Sequence, residues 1–500
     1  MIESHLLKAG GMLSTELKTH VMSTVKVSSD TARKRIQREE KNNPNVCKLL
    51  GLSFRNGSVF YYHKNHFGST LYWRALYKAF IDSKSAYSYA IAALLARDKI
   101  MPSEIFPIHC GIPARMAKNL SYERVLTDLK AVNAIREDFI PKVGECISLM
   151  QQDEYLKFEG EKIKACLLAE EVLISSLGSW LKKLNIASFK KIAFNRSENS
   201  QLVNGFYWDI SAPSYLTPLI SIDDKGQKPG FVVCDVMLNV KVDDIAISPF
   251  LNKVRKSQFS KKQGRCIYIF VAEEYTERAF ELAKKAGVIP ATTRNLFGRD
   301  VEEALKSVIS VFSHLATFID RPEQINDLFK RLNKIEGAVG NLRGTLFEFI
   351  VAESLRAIYP RVELGIKLKS TVNDKKYDAD IMITKPDETL IIECKSGYAG
   401  AVLAHEQVVH WLQEQVPNMY KTLAQRDNQH ERKYSFELWS TKELRVESIQ
   451  LIQRVSSDLK KYSVSFKTCD DVRQEINKSN QKGLLDLLDQ HYLKHPLNKL

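Results

Sequence analysis

Carboxylates and one lysine stand at the ends of two apolar stretches in the last third of this 500-residue chain. The first stretch carries Asp378 and Asp380, which share one face because side chains alternate along a strand. By the same alternation, Glu393 and Lys395 share one face of the second stretch. A hairpin with its turn at residues 385–388 would place Asp380 beside Glu393. The spacing therefore predicts a group of carboxylates and a lysine at one edge of a sheet.

Oxygen ligands of this kind bind Mg²⁺, which keeps several waters of its own. We expect Asp380, Glu393 and the peptide carbonyl of Cys394 to hold Mg²⁺ or Mn²⁺. The ion would polarise a phosphodiester and lower the pKa of a bound water. Lys395 would orient that water or offset negative charge in the transition state. These residue types therefore indicate metal-dependent hydrolysis of a phosphodiester bond.

A helical pattern upstream adds a further carboxylate. Gly344, Glu348 and Ala352 recur at every fourth residue and so lie on one face of a helix. We expect the two small residues to let this helix approach the sheet closely. Glu348 would then lie near the metal as an auxiliary acid.

The helix with G-x-x-x-E-x-x-x-A, the strand with Asp380 and the strand with E-x-K follow in an order that resembles the PD-(D/E)XK, or restriction-endonuclease-like, nuclease superfamily. The resemblance covers roughly residues 321–500. It implies that Asp380, Glu393 and Lys395 are catalytic and that Glu348 is auxiliary. No proline precedes Asp380, at a position that the superfamily keeps loosely. The alternative interpretation is a buried hairpin that ends in solvated charges, with Glu348 on an exposed helix face.

The segment after this site is expected to complete a mixed α/β sheet covered by helices. Gln407 and His410 in this segment either reach the phosphate or are ordinary polar positions on a helix, and the second interpretation is favoured. The expected elements are a helix at Ala401–Leu423, a strand at Tyr434–Trp439, a helix at Arg445–Leu459 and a strand at Tyr462–Phe466.

Composition indicates a multidomain globular protein. The chain is 44% hydrophobic and 26% charged, and its length predicts three or four domains. No stretch approaches the ~18 to 20 apolar residues of a membrane span. The N-terminus lacks an apolar signal core, and the eight cysteines form no C-x-x-C pair. We therefore expect a cytoplasmic protein without a zinc site or membrane contact. Without a Walker-type phosphate loop, ATP-driven translocation would need another subunit.

Positive charge is concentrated near the N-terminus. The chain carries a net charge of +14, and residues 1–150 hold 22 lysines and arginines against 13 acidic residues, an excess of nine. Such a segment favours a polyanionic partner.

Residues 1–82 are expected to form a winged helix-turn-helix domain. A helix at Ile2–Lys8, a second from Ser14 and a third opening at Ser28 precede two strands joined by Asn56-Gly57, a strong hairpin signal. The third helix would enter the major groove of duplex DNA. The alternative is a helical protein-interaction domain with a solvated basic face. The residues expected on DNA are Arg33, Lys34, Arg35, Arg38 and, in the wing, Arg55.

Residues 83–155 repeat this pattern more weakly. A helix at Tyr87–Arg97, a segment at Pro102–Ile108, a helix at Ser121–Val132 and possible strands suggest a second winged-helix-like domain. This region carries fewer cations, so a purely structural role is an equal alternative.

Residues 156–320 follow the same order of elements as residues 321–500. A helix at Glu161–Leu184 precedes strands that end near Asp209 and contain Asp235, and then strand, helix and strand. The chain is therefore expected to hold a duplicated nuclease-like core. Asp235-Val236-Met237 stands where the later copy has Glu-Cys-Lys, so the earlier copy is expected to be degenerate. The alternative is an unrelated α/β domain.

The expected fold class is multidomain α/β, with an N-terminal winged helix followed by two restriction-endonuclease-like domains. The expected function is that of a Mg²⁺-dependent DNA endonuclease of restriction or antiviral defence. Double-stranded DNA is the expected partner, with a homodimer as the route to a double-strand break and possible partner subunits. Two alternatives stay open: a catalytically silent DNA-binding regulator or scaffold, and a ligand-gated nuclease with residues 186–320 as sensor.

Overall fold

The computed structural model divides the chain into two compact units and gives a multidomain α/β protein with mixed sheets. Unit 1 holds residues 1–139, 145–156 and 177–298, and unit 2 holds the rest. Among the described residues, no helix is long and apolar enough to cross a membrane. The structure describes all residues except 53, 151–159, 189, 197–200, 224–225, 259–264, 316–321, 333–338, 371–374, 428–431 and 494–500.

The first segment of unit 1 is a small helical domain with a three-stranded antiparallel sheet of order β1-β3-β2. Its third helix begins where the Ser28 hydroxyl accepts a hydrogen bond from the Thr31 N–H, an N-cap that satisfies one free backbone donor. The buried side chains of the three helices, among them Leu6, Leu17 and Ile36, form one core. The elements are α1 (Ile2–Ala9), β1 (Met12–Leu13), α2 (Ser14–Val25), α3 (Ser29–Asn42), β2 (Val46–Lys48), β3 (Phe60–His63) and α4 (Thr70–Ser83).

The prediction that two strands directly flank Asn56-Gly57 is wrong. The ladder pairs Val46–Lys48 with Phe60–His63, so a connection of eleven residues separates the two strands. Asn56 and Gly57 both have positive φ, 60° and 68°, in a short 3₁₀ turn. The dipeptide therefore makes a turn as its chemistry dictates, but the turn lies inside a longer loop and does not join the strands.

The second segment of unit 1 has the same order of helices and strands as the first. Its sheet has the order β4-β6-β5, which matches β1-β3-β2 position by position. The elements are α5 (Ala86–Leu95), β4 (Ile100–Pro102), α6 (Phe106–His109), α7 (Tyr122–Ala131), β5 (Ile135–Ile140) and β6 (Gly144–Leu149).

The third segment of unit 1, here called the first core, is a five-stranded mixed sheet of order β13-β12-β11-β8-β7. The strands β11, β12 and β13 are parallel, and β8 and β7 continue the sheet in antiparallel pairs. The elements are α8 (Gly160–Lys183, with residues in both units), β7 (Ala193–Phe194), β8 (Ile210–Ser214), a hairpin of β9 (Ser221–Asp223) and β10 (Gly226–Lys228), β11 (Gly230–Val242), α9 (Asp244–Gln258), β12 (Cys266–Tyr275), α10 (Glu277–Lys285), β13 (Val288–Thr292) and α11 (Thr293–Phe297).

Two expectations for the first core need correction. The strand expected to end near Asp209 begins after it, at Ile210, so Asp209 precedes the strand. The helix α9 was not expected at all. Its pattern is hard to recognise because Pro249 lies inside it and Lys253 lies on its buried side.

Unit 2 contains a second five-stranded mixed sheet, here called the second core, of order β14-β15-β16-β18-β20. Its elements are α12 (Arg299–Ser313), helices at Pro322–Leu332 and Val339–Arg356, β14 (Val362–Lys369), β15 (Lys376–Thr384), β16 (Glu388–Lys395), β17 (Val402–Leu403), helices at His405–His410 and Val416–Asp427, β18 (Lys433–Ser440), β19 (Glu443–Leu444), a helix at Val446–Asp458, β20 (Ser463–Lys467), and helices at Cys469–Asn477 and Lys482–Leu488.

The two cores share one topology. Numbered in chain order, the first strand of each sheet pairs antiparallel with the second, and the second pairs antiparallel with the third. The third strand pairs in parallel with the fourth, and the fourth pairs in parallel with the fifth. A helix precedes each sheet and further helices connect the parallel strands. The equivalent strands are β7 and β14, β8 and β15, β11 and β16, β12 and β18, and β13 and β20.

The helix expected at Ala401–Leu423 is wrong at both ends. Residues 402–403 form β17, which pairs with β19, and the helix begins only at His405. A π-helical turn at Trp411–Gln415 then leads into a helix that continues to Asp427. Trp411 and the adjacent Leu412 are both buried, and the wider turn places both large side chains in the core.

Candidate active site

Asp380 and Glu393 are brought together by the antiparallel pairing of β15 and β16. Ile381 pairs with Ile392, so Asp380 and Glu393 occupy the next position of the same register. The Cys394 N–H donates a hydrogen bond of 2.7 Å to Asp380 Oδ2. The hairpin therefore places both expected metal-binding carboxylates at one end of two central strands.

Lys395 lies beside these carboxylates. Its Nζ is 2.6 Å from Glu393 Oε1, and its side chain is 31% exposed, whereas that of Glu393 is 6% exposed. Burial alone would lower the pKa of Lys395, but Glu393 raises it above its usual value. The lysine is therefore an ammonium ion with a partly open path to solvent.

Glu348 enters the site from the helix Val339–Arg356. Burial, and then the charge of Asp380, raise the pKa of Glu348 to about 7. Burial, and then the charge of Glu393, likewise raise the pKa of Asp380 to about 7. The carboxylates are thus crowded enough to hold protons near neutral pH unless a cation joins them.

The helix reaches the site as expected, but the small size of Gly344 is not what permits its approach. A Cβ atom added to Gly344 would meet no atom of the described part of the chain within 4 Å, so packing against these residues does not require a glycine there. Ala352, one turn beyond Glu348 on the same face, is fully buried. The face that carries Glu348 is therefore packed on one side of this residue and open on the other.

The donor set of this site fits a hard divalent cation. Asp380 and Glu393 offer carboxylate oxygens, and the Cys394 carbonyl offers a third oxygen. Burial raises the pKa of the Cys394 thiol well above its usual range, and strand alternation places its side chain on the face opposite that of Glu393 and Lys395. Among the described residues, no group of three or more His, Cys, Asp or Glu side chains has the geometry to hold a metal ion. A cation here would therefore depend on two carboxylates, a carbonyl and its own waters.

Lys164 is a second cation at this site, and sequence reasoning missed it. It lies on α8, and its Nζ is 3.8 Å from Glu348 Oε2. Its charge lowers the pKa of both Glu348 and Asp380. No spacing pattern connects Lys164 with the hairpin, because tertiary packing alone brings the two together.

Gln407 and His410 both lie on the helix at His405–His410. Both are exposed, and His410 Nδ1 lies 3.3 Å from Glu414 Oε2 of the following turn. The favoured interpretation, that both are ordinary polar positions, stays a prediction.

The first core places two aspartates in the same register as Asp380 and Glu393. Ile210 pairs with Cys234, so Asp209 and Asp235 are the next pair. The Val236 N–H donates to Asp209 Oδ2 at 2.7 Å, the same bond and distance as between Cys394 and Asp380. Met237, which is 3% exposed, follows Asp235 at the spacing by which Lys395 follows Glu393.

The basic residues of α3 are exposed. Arg33, Lys34, Arg35 and Arg38 all face solvent, whereas Ala32 and Ile36 of the same helix are buried.

One basic residue of the helix was missed. Lys41, also exposed, shares with Lys34 and Arg38 the side of α3 opposite its buried residues, by helical spacing. The side chain of Arg55 lies outside the described residues. The structure therefore leaves one strongly basic helix face free in the first segment.

Comparisons with known proteins return no matching family model, no matching curated protein and no matching solved structure.

Proposed function

We propose that the chain is a Mg²⁺- or Mn²⁺-dependent DNA endonuclease of the PD-(D/E)XK type, with its active site in the second core. The observation that carries the proposal is the joint placement of Asp380, Glu393 and Lys395. Two strands of one hairpin set the carboxylates side by side, and the lysine lies 2.6 Å from the second of them.

Each side chain has a role that follows from its surroundings. Asp380, Glu393 and the Cys394 carbonyl would hold the cation, which when bound supplies a Lewis acid at the scissile phosphate. Lys395, an ammonium ion with a partly exposed side chain, positions the attacking water and offsets developing negative charge. Glu348, whose pKa burial and the charge of Asp380 raise to about 7 before a cation binds, would be the auxiliary acid beside the metal.

The N-terminal segment supports DNA as the substrate. Its order of helices and strands is that of a winged helix, and its third helix exposes Arg33, Lys34, Arg35 and Arg38. These cations would contact phosphates or bases of duplex DNA. The second segment, with the same order of elements, would extend the module. A place in restriction or antiviral defence rests on the family resemblance.

The direct test is a cleavage assay with the purified chain, with Mg²⁺ or Mn²⁺, on duplex DNA, single-stranded DNA and RNA. We expect cleavage of duplex DNA. Lys395→Ala should lower the rate by on the order of 10² to 10³, with Asp380→Ala and Glu393→Ala at least as severe. Binding of DNA should be largely kept, because affinity comes mainly from phosphate contacts elsewhere. Glu348→Ala should be milder.

A matched control separates the site from the sheet that carries it. Lys433 is an exposed lysine of the same sheet, opposite Glu388 at the other end of β16. Lys433→Ala should cleave as the wild type does. Cleavage at the wild-type rate by Lys395→Ala would exclude the assignment, and no cleavage of any substrate by the wild type would favour a silent regulator.

A further inference from the structure

The first core holds a buried ion network at the position that corresponds to the active site of the second core. We propose that Lys253, Arg196 and Arg97 have taken the place of a metal ion there, and that the network now serves as a metal-independent joint between the sheet and residues 97–111. The comparison with the second core rests on the proposed function, but the network and its tests do not.

Each position that would hold a metal carries a protein cation. Arg196 Nε donates to Asp209 Oδ1 at 2.7 Å, and Asp209 corresponds to Asp380 in the register. Lys253 Nζ donates to Asp235 Oδ2 at 2.5 Å, at the position of Glu393.

The main-chain carbonyl that corresponds to a metal ligand also has a protein cation as its partner. Arg97 Nη2 donates to the Val236 carbonyl at 3.4 Å, at the position of the Cys394 carbonyl. Two aspartates and a carbonyl therefore face three cations from the same chain.

Burial separates this network from a working active site. Asp209 is 0%, Lys253 1% and Asp235 2% exposed, whereas the side chain of Lys395 is 31% exposed. The Lys253 ammonium also lies 4.0 Å from the centre of the Trp208 ring, a cation–π contact. A phosphodiester cannot reach a lysine enclosed in this way, so Lys253 does not replace Lys395 as a catalytic group.

His109 completes the network as a neutral group. Burial, and then the charges of Arg97 and Arg196, lower the pKa of His109 well below its usual value. Its Nε2 lies 3.2 Å from Arg97 Nη2 and 3.3 Å from Arg196 Nη2. Arginine can only donate, so Nε2 accepts from both and the ring proton lies on Nδ1.

The network joins two parts of unit 1 that are distant in sequence. Besides Asp235, Lys253 donates to the Ile108 carbonyl at 2.9 Å, and the adjacent Asn252 donates to the Gly111 carbonyl at 2.8 Å. Gly111 has φ 70°, and a Cβ on it would lie 2.5 Å from the Pro249 carbonyl oxygen. The second helical segment is therefore held on α9 by hydrogen bonds from Lys253 and Asn252 and by close backbone packing at Gly111.

Metal binding is tested in the full chain with the variant Asp380→Ala/Glu393→Ala, which removes the proposed metal site of the second core. Mn²⁺ titration followed by electron paramagnetic resonance should show no specific binding to this variant. Specific binding that Asp235→Asn removes would overturn the proposal, whether or not the chain cleaves DNA.

Stability and hydrogen exchange test the joint. Lys253→Met leaves Asp235 buried without its cation, so the unfolding midpoint should fall by on the order of 10 °C, equally in Mg²⁺ and in EDTA. Amide exchange at residues 105–112 should rise. The matched control is Lys241→Met, because Lys241 forms an exposed pair with Glu274 at 2.6 Å and should change little.

A double variant keeps the test informative if Lys253→Met does not fold. Lys253→Met/Asp235→Asn removes both charges, and it should recover most of the lost stability, since an uncompensated charge is the main cost. The proposed joint would be excluded if Lys253→Met were as stable as Lys241→Met. It would also be excluded if the double variant were no more stable than Lys253→Met.

Discussion

At the residue scale, crowding of carboxylates around Asp380 makes the second core sensitive to pH before any metal binds. Folding raises the pKa of Asp380 and that of Glu348 to about 7. In the unfolded chain such groups titrate near pH 4. Between these values the folded state binds more protons than the unfolded state, so the stability from these groups is complete below about pH 4 and is lost as pH rises through about 7.

This linkage predicts the effect of Asp380→Asn. The metal-free variant should show a flatter loss of stability between about pH 4.5 and 8, and at pH 8 it should be more stable than the wild type by on the order of 1 kcal/mol. Thermal unfolding in EDTA across this range is the measurement. Asp387→Asn, at an exposed position in the turn between β15 and β16, is the control and should follow the wild type. Equal pH profiles for Asp380→Asn and wild type would contradict the assigned crowding.

A second prediction concerns Lys164. Its charge lowers the pKa of Glu348 and Asp380, so Lys164→Met should raise both and shift the acid limb of the cleavage profile to higher pH. At pH 7 cleavage should fall by about tenfold, and Lys164→Arg should restore most of it. Lys142→Met is the matched control, because Lys142 and Lys164 line one cavity of unit 2, but Lys142 pairs with Glu161 at 2.6 Å. An unshifted acid limb in Lys164→Met would exclude this role.

Residues of the candidate site could be recognised from the sequence where a local strand or helix pattern carries them, as for the hairpin and for Glu348 on its helix. Asp380, Glu393 and Lys395 follow from strand alternation and one turn. Lys164 and Lys253 reach their carboxylates from other elements through tertiary packing, and no periodicity indicates such contacts.

At the element scale, the exposed basic residues of α3 are the feature with the clearest consequence for binding. Removal of one cation that binds a phosphate lowers the slope of log affinity against log salt by about one unit. Charge reversal at Arg33, Arg35 and Arg38 should therefore weaken duplex binding and reduce that slope by up to about three. Fluorescence anisotropy with duplex DNA at several salt concentrations measures both.

The control for this prediction carries the same charge change elsewhere. Arg278, Lys284 and Lys285 are exposed on α10 of the first core. Reversal of these three charges leaves α3 intact and should retain most of the slope. If both triple variants behave alike, net charge rather than α3 determines binding.

The elements themselves were foreseeable where the apolar pattern of the sequence was clear. The bounds of α1 and β18 lie within one residue of the expected ones. The helix α9 was missed because a proline and a buried lysine disguise its apolar face. The prediction of strands directly around Asn56-Gly57 was wrong for a different reason. A local turn signal determines the turn but not the length of the loop between the paired strands.

At the scale of the whole molecule, the proposed function assigns one active site to each chain, in the second core. One such site cuts one strand, so a double-strand break needs two chains or two events. Supercoiled plasmid should therefore pass through a nicked circle at low protein concentration and be linearised directly at high concentration. Agarose gels over a concentration series measure this.

Mixing with an inactive partner checks the same point. An excess of Lys395→Ala over wild type should convert linear product to nicked circles if the cutting species is a homodimer. Unchanged linear product would show that a single chain makes both cuts.

The open space beside Gly344 makes the site accessible to a reporter group. A Cβ atom placed there meets no atom of the described residues within 4 Å and lies one helical turn from Glu348. Gly344→Cys could thus carry a nitroxide label whose paramagnetic coupling to Mn²⁺ gives a distance to the bound ion. The mobility of the same label would also change when nucleic acid enters the site. A single labelled position could therefore show whether the metal or the nucleic acid binds first.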